Sequence, residues 1–434
     1  MARKRNQKTM AAYLRNESLN SFSFIDLFAG AGGLSEGFTQ AGFEPITHVE
    51  MDPWACNTLK TRACFNWLKD NNKLDLYYDY VCGKMARDEF YALVPTEVID
   101  SVICETMSDE TMPSIFEKTD AMMKKKGVQK VDLIIGGPPC QAYSIVGRSR
   151  KDMTNDPRNQ LYKLYCQVLA YYQPEMFVFE NVPGLLTAGN GEYLKDIISR
   201  FAKLGYDLES RIINASDYRV LQNRKRIILV GWKKGSEHYY PLQQSCTLGF
   251  SVNDILSDLP AIEPGGYSCE YRDGQMSEYL RQTGIRQNGD RLLQHQARNN
   301  REQDREIYRY AIRAWNNGHS RLKYAELPER LITHKNTVDF QDRFKVVASD
   351  RPTCHTMVAH ICKDGHYYIH PDLEQARSIS VREAARIQSF PDSFFFEGGR
   401  TAAFRQIGNA VPPLLAKEIA VGILKQLKEA TDND

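Results

Sequence analysis

The 434-residue chain predicts an α/β fold: a doubly wound, mostly parallel sheet with a second, smaller domain. Three observations carry this prediction. Short apolar runs alternate with helical stretches, the pattern of a parallel sheet covered on both faces. Several of those runs stop in glycine-rich or acidic clusters. Beyond residue 234 the alternation fades, and Arg, Gln, Asn, His and Tyr become common.

In chain order, Phe22 to Phe28 reads as the first strand, Ala29 to Gly33 as a glycine-rich turn, and Leu34 to Gln40 as an amphipathic helix. Pro45 to Val49 reads as a second strand ending at Glu50 and Asp52. Val131 to Ile135 is stopped by Gly136-Gly137-Pro138-Pro139, Met176 to Phe179 by Glu180-Asn181-Val182-Pro183, and Arg226 to Gly231 is a further strand. Ligands of open α/β sheets sit outside the carboxyl ends of the strands, so these clusters should converge on one pocket. Asn299 to Tyr308 alternates in charge and reads as an exposed helix. Ser380 to Ser389 is helical, and Pro412 to Leu427 reads as a terminal amphipathic helix. The expected division is a basic leader over 1–20, a catalytic domain over 21–234, a smaller domain over 235–395, and a segment over 396–434 returning to the catalytic domain.

A hydrophobic share of 42% and a charged share of 25% are those of a globular protein, and composition alone names no function. No apolar run approaches the roughly 18 residues of a membrane span. The basic leader runs into no apolar segment, so no secretory signal is expected; it is either a solvated tail or an arm touching phosphate. Ten irregularly spaced cysteines are expected as reduced thiols in a cytoplasmic setting. A net charge of +2 neither demands nor excludes nucleic acid.

Glycines in the turn Asp26-Leu27-Phe28-Ala29-Gly30-Ala31-Gly32-Gly33 let backbone approach a ligand closely. Glu50, ending the next strand, suits a pair of ribose hydroxyls. The turn has no Lys followed by Ser or Thr, which disfavours a triphosphate. In Gly136-Gly137-Pro138-Pro139-Cys140-Gln141-Ala142-Tyr143-Ser144, two prolines stiffen the loop and set one cysteine just past a strand end. Read alone, Cys140 is equally a buried inert thiol or a nucleophile.

Together these segments resemble the C5-cytosine-specific DNA methyltransferase family. The motifs stand in the family's order: the turn from Asp26, the loop through Cys140, Asp156 to Tyr162, Glu180-Asn181-Val182, Gln222-Asn223-Arg224-Lys225-Arg226, Arg382 to Asp392, and Gly408 to Pro413. The likeness covers about residues 22–232 and 377–425. It implies a Rossmann-like S-adenosylmethionine-dependent methyltransferase fold, with the smaller domain recognising the target. The implied substrate is double-stranded DNA and the implied cofactor S-adenosyl-L-methionine. Neither a metal, a membrane nor an obligate protein partner is expected, and the chain is expected to act as a monomer near the nucleoid.

The resemblance assigns Cys140, Glu180, Arg224 and Arg226 to catalysis. Cys140 would add to C6 of an extruded cytosine, Glu180 would hold N3 and the exocyclic amine, and the arginines would support thiolate and O2. For the cofactor it implies Phe28, Ala29, Gly30, Gly32, Gly33, Glu50, Pro138, Asn409, Ala410 and Val411, with Glu105 as the adenine-reading acid. DNA contacts would fall to Gln141, Ser144, Arg148, Arg150 and Gln222. The family commonly has Gly and Pro where this chain has Arg219 and Leu221, which leaves that turn's backbone open.

Competing readings are a tRNA cytosine methyltransferase, whose Cys-Phe-Thr tripeptide does not occur in the smaller domain, and a non-catalytic relative, which would have lost Cys140, Glu180 or the arginines. Cys354, His355, His360, Cys362 and His366 fit no regular metal spacing and read as a hairpin around Lys363-Asp364-Gly365. Arg377, Arg382 and Arg386 could contact phosphate, and the last two equally suit a solvated or ion-paired helix face. Tyr239, Tyr240, Tyr267 and Tyr271 suit scaffold packing better than base stacking.

Overall fold

The computed structural model describes residues 21–139, 160–242, 244–245, 249–272, 274, 276–335 and 340–433. Cys140, Gln141, Ser144, Arg148, Arg150 and the stretch 156–159 lie outside the described residues.

A seven-stranded sheet forms the centre, in the order β3-β2-β1-β4-β5-β7-β6. The strands are β1 (Ser23–Leu27), β2 (Glu44–Glu50), β3 (Val102–Cys104), β4 (Leu133–Gly136), β5 (Met176–Asn181), β6 (Tyr206–Asn214) and β7 (Lys225–Lys233). Strands β1 to β5 run parallel; β7 is antiparallel to both β5 and β6. The helices are α1 (Gly33–Gln40), α2 (Pro53–Asp70), α3 (Leu74–Val81), α4 (Arg87–Tyr91), α5 (Thr96–Asp100), α6 (Met112–Lys126), α7 (Leu161–Tyr172), α8 (Glu192–Lys203), α9 (Glu278–Thr283), α10 (Glu302–Gly318), α11 (Val381–Ile387), α12 (Arg400–Asn409) and α13 (Pro413–Asn433).

The double winding follows from strand alternation. Phe24, Leu133, Ile135, Met176, Val178, Ile228 and Val230 enter one core with Leu34 and Phe38 of α1 and Leu415, Ile419 and Ile423 of α13. Their neighbours Ile25, Leu27, Ile134, Phe177, Phe179, Ile227 and Leu229 enter a second core with α6, α7 and α8. Strands buried on both faces read as continuous apolar runs, which is why β1, β4 and β5 were legible. The C-terminal return is tight: a Cβ on Gly37 would lie 2.4 Å from that of Ala416, so only glycine lets α1 and α13 meet this closely.

Beyond β7 the buried side chains divide between two cores. A separate core gathers α10 (Ile307, Tyr308, Ala311, Ile312) with Leu322, Tyr324, Leu331, Phe344, Val346 and Ile369. In contrast, Val252, Ile255, Tyr279, Val347, Met357, Tyr368, Ile379 and Phe390 belong to the core shared with α1 and α13. A boundary at 395/396 would cut this core, because Phe390, Phe394 and Phe396 pack within one cluster.

Arg377, Arg382 and Arg386 are fully buried, which corrects the phosphate-contact and solvated readings, while the ion-paired alternative holds for Arg386. Arg377 forks onto Glu383 at 2.7 and 2.8 Å, and Arg386 is clasped by Asp258 and Asp392. Arg382 donates to the carbonyls of Leu293, Pro391 and Phe394. Ser380 caps α11 with Glu383 in a reciprocal box, which orients that glutamate for Arg377. The expected hairpin around Asp364 is instead a 3₁₀ turn (Ala359–Cys362) followed by irregular chain. Among the described residues no group of three or more metal-ligating side chains forms, and no single helix is long and apolar enough to cross a membrane.

Candidate active site at the carboxyl edge of the sheet

Three strand ends build the site. At β1 the chain turns sharply: Phe28, Gly30 and Gly32 take positive φ of 56°, 55° and 83°. Such an angle is strained for phenylalanine, and strain of this kind persists where the surroundings over-determine it. Gly30 has open space where a side chain would stand, whereas a Cβ on Gly33 would come within 2.3 Å of the Val411 carbonyl oxygen. The two glycines therefore serve different ends. Gly30 leaves room above the turn, and Gly33 lets the C-terminal return dock beneath it, with Ala410 and Val411 buried and Asn409 exposed.

Glu50, ending β2, accepts hydrogen bonds from the backbone N–H groups of Gly30 (2.8 Å), Met51 (2.9 Å) and Asp52 (2.8 Å). These bonds fix an acid beside the glycine turn. Below it, Asp26 is fully buried, and desolvation pushes its carboxyl well above the usual range. Glu105 stands one residue past β3, whose Cys104 pairs in register with Glu50. Its carboxylate turns to Lys118 and accepts from Ser114 (3.3 Å).

At the next pair of strand ends, Gly137 follows β4 and lies against Glu180 of β5. A Cβ on Gly137 would sit 2.7 Å from Glu180 Oε2, so a side chain there would displace the Glu180 carboxylate. Asn181 donates to the carbonyl of buried Pro138 (3.3 Å) and accepts from the N–H of Val182 (2.8 Å). This tie between the β4 loop and β5 was not singled out from sequence, although Asn181 stands beside Glu180 in the quoted motif. The antiparallel β7 brings Arg226 to the same place: its Nε lies 2.8 Å from Glu180 Oε1, with both side chains about one-eighth exposed (12% and 13%).

Two residues expected at the base and the DNA lie inside the scaffold. Arg224 is fully buried; its guanidinium donates to the carbonyls of Met357, Gly408 (3.2 Å) and Ala410 (2.8 Å). Burial lowers its pKa, and its terminal nitrogens tie Met357 to the C-terminal return while its Nε has no hydrogen-bond partner among the described residues. Gln222 is likewise buried, donating to Ile387 and Gln388 and accepting from the N–H of Met357. Both hold the scaffold of which Arg226 is the exposed end. The open question at Arg219 also resolves. It takes φ of 64°, the angle that glycine adopts most readily, and is held by Glu418 and by Tyr279, whose hydroxyl donates to its carbonyl at 2.7 Å.

Of the four tyrosines, Tyr240 is buried and Tyr271 is bonded to Asp392 beneath Arg286, while Tyr239 and Tyr267 are exposed.

A sheet edge of this kind places the chain among doubly wound α/β enzymes whose chemistry lies at the strand carboxyl ends. Residues 22–81 and 85–425 match the model of the family described as C-5 cytosine-specific DNA methylase, and the chain belongs to that family. It is a DNA cytosine-5-methyltransferase. A type II methyltransferase of Bacillus paralicheniformis is 42% identical over 91% of this chain and 97% of its own length. One of Haemophilus parahaemolyticus is 33% identical over 93% and 87%. Among solved structures, a prophage-encoded E. coli protein described as a DNA modification methyltransferase aligns with a TM-score of 0.63 and 25% identity, covering 94% of this chain and 100% of that one. An Entamoeba histolytica methyltransferase shares the fold, at a TM-score of 0.52 and 15% identity, over 94% of this chain and 99% of its own.

Proposed function

We propose that this enzyme transfers the methyl group of S-adenosylmethionine to C5 of a cytosine in double-stranded DNA, by way of a transient bond between the Cys140 sulfur and C6 of a base turned out of the helix. The observation that carries the reading is the Glu180–Arg226 pair, packed against Gly137 at the start of the loop that leads to Cys140.

The residues near the glycine turn fit the cofactor. Gly30 leaves open space, and Glu50 is held by three backbone amides with acceptor capacity left for vicinal hydroxyls. When bound there, S-adenosylmethionine supplies a sulfonium methyl for C5 to take up. Phe28 and Val411 border the adenosyl side, and Glu105 stands one strand further out.

The chain's own residues activate the base. C5 of cytosine is a poor nucleophile until the thiolate of Cys140 adds to C6 and pushes electron density toward C5 and N3. Glu180 hydrogen-bonds the N3 and amine edge, stabilising that density, and Arg226 orients Glu180 and faces O2. Once C5 carries its methyl, the C5 proton leaves to a water or side chain, and departure of the sulfur from C6 restores the ring. Phosphate contact is assigned to Arg148 and Arg150 for their charge, while Arg224 and Gln222 act by positioning the strand that carries Arg226. The type II relatives favour a prokaryotic or phage modification enzyme, and our reading has it work as a cytoplasmic monomer. The test is transfer of labelled methyl to duplex DNA and to tRNA by the parent chain and by Cys140→Ser. Incorporation into duplex DNA alone, abolished in the variant, is expected; incorporation that persists in Cys140→Ser contradicts the proposal.

A further inference from the structure

A cavity of about 350 Å³ opens between the C-terminal end of α10 and the chain from Phe344 to Thr356. Its wall carries Arg321, Lys345 and Arg351 together with Trp315, His355 and Asn223, and no carboxylate lines it among the described residues. Two acids stand behind the wall. Asp342 is shared by Lys345 (2.6 Å) and Arg321 (3.7 Å), so one carboxylate faces two cations. Asp350 accepts from the Trp315 indole N–H (2.9 Å) and bonds His319 (2.6 Å), with Arg351 at 3.8 Å. Three cations face two carboxylates, so one positive charge is left over at the wall, and it suits an anion.

One wall residue, Asn223, stands two residues before β7 begins. Asn223 donates its side-chain N–H to Thr353 Oγ1 (2.8 Å) and its backbone N–H to the Cys354 carbonyl (2.9 Å). Three residues later comes Arg226, paired with Glu180. Three extended residues span roughly 10 Å, about three base-pair rises along one DNA strand. That spacing bounds the separation of the Asn223 and Arg226 backbones, so a duplex whose target base meets Glu180 would have phosphates within reach of this cavity.

We infer that the cavity is a DNA-backbone site, in which Arg321, Lys345 and Arg351 hold a phosphodiester a few nucleotides from the methylated cytosine. The inference rests on the reading of Glu180 and Arg226 as the base pocket. A phosphate contact positions the strand and carries no sequence information, so its loss weakens cognate and unrelated duplexes alike.

The experiment compares the full-length parent with Arg321→Ala, Lys345→Ala and Lys345→Arg, using random-sequence duplex DNA and fluorescence anisotropy across a salt series. Arg321 is 55% exposed, so its truncation leaves folding intact, and thermal unfolding checks this for all variants. Each alanine variant should bind several-fold more weakly and lower the slope of log affinity against log salt by about 1. Lys345→Arg should stay near the parent, and kcat at saturating plasmid DNA should stay within about twofold. Unchanged affinity and slope in both alanine variants would overturn the assignment. So would an unchanged slope with altered preference among methylated sites, because that outcome makes the cavity a reader of bases. The variants are judged only against the parent's own binding, so a parent that bound DNA without methylating it would sink the proposed chemistry and leave this test standing.

Discussion

Arg226 reaches across from β7 to set its Nε 2.8 Å from Oε1 of Glu180, at the point where β5 and the β4 loop meet. A carboxylate and a guanidinium from antiparallel neighbours thus share one sheet edge, and the bare Cα of Gly137 leaves the Glu180 carboxylate undisplaced.

Replacing Glu180 by Gln keeps shape and removes charge. General acid–base and hydrogen-bonding roles of this kind contribute roughly 10²- to 10⁴-fold. Methyl transfer by Glu180→Gln should fall by at least about a hundredfold, with DNA affinity little changed. A variant that turned over within a few-fold of the parent would remove Glu180 from the chemistry.

The two arginines of one motif should separate cleanly. Arg224→Ala removes a donor from the carbonyls of Met357 and Gly408, and one of two from Ala410, which keeps Gln388, and should cost about 3–5 kcal/mol of stability. Arg226→Ala, at a partly exposed pair, should cost less than about 1.5 kcal/mol yet abolish turnover. Urea unfolding beside a methyl-transfer assay reads both; equal stability losses would contradict the division.

Gly33→Ala sets two effects against each other. Alanine improves helix propensity by about 1 kcal/mol, but its Cβ would fall 2.3 Å from the backbone oxygen of Val411. Backbone cannot yield as a side chain can, so the clash wins, and a net loss of about 1–3 kcal/mol is expected in thermal unfolding. A more stable variant would show that the return segment is not locked against α1.

These sites differ in how far the sequence disclosed them. The strands β1, β4 and β5 were plain because burial on both faces leaves an apolar run, while β6 was missed. It is an edge strand, and Asp207 to Arg211 show no such run. Glu180 and Arg226 were found through ordered motifs. The buried roles of Arg224, Gln222, Arg377, Arg382 and Arg386 were not, because spacing on a helix or strand cannot tell an exposed charge from one whose partners arrive from distant segments such as Asp258.

Stability should fall on mild acidification. Burial lowers His48 to about 3 and His355 and His370 to about 4, against about 6.5 in the unfolded chain. Between pH 6.5 and 4 the unfolded state takes up protons that these folded imidazoles refuse, so stability is full above pH 6.5 and declines below it. Asp26, pushed up by burial, has the opposite sign and offsets part of the loss. Glu383, held low by Arg377 against its burial, keeps its full stabilising contribution at these pH values and loses it only as pH falls through the ordinary carboxylate range and below. The urea midpoint at pH 5.5 should correspond to about 1–3 kcal/mol less stability than at pH 7.5; no change, or a gain, would contradict this assignment.

The central claim concerns the sulfur of Cys140, and a mechanism-based trap reads it directly. Duplex DNA carrying 5-fluorocytosine at methylated sites, incubated with the enzyme and S-adenosylmethionine, cannot lose fluorine from C5, so the thioether to C6 persists. Peptide mapping should place the cross-link on Cys140 and find none with Cys140→Ser. A stable adduct at another residue, or no adduct on DNA that the enzyme methylates in its unfluorinated form, would contradict the account.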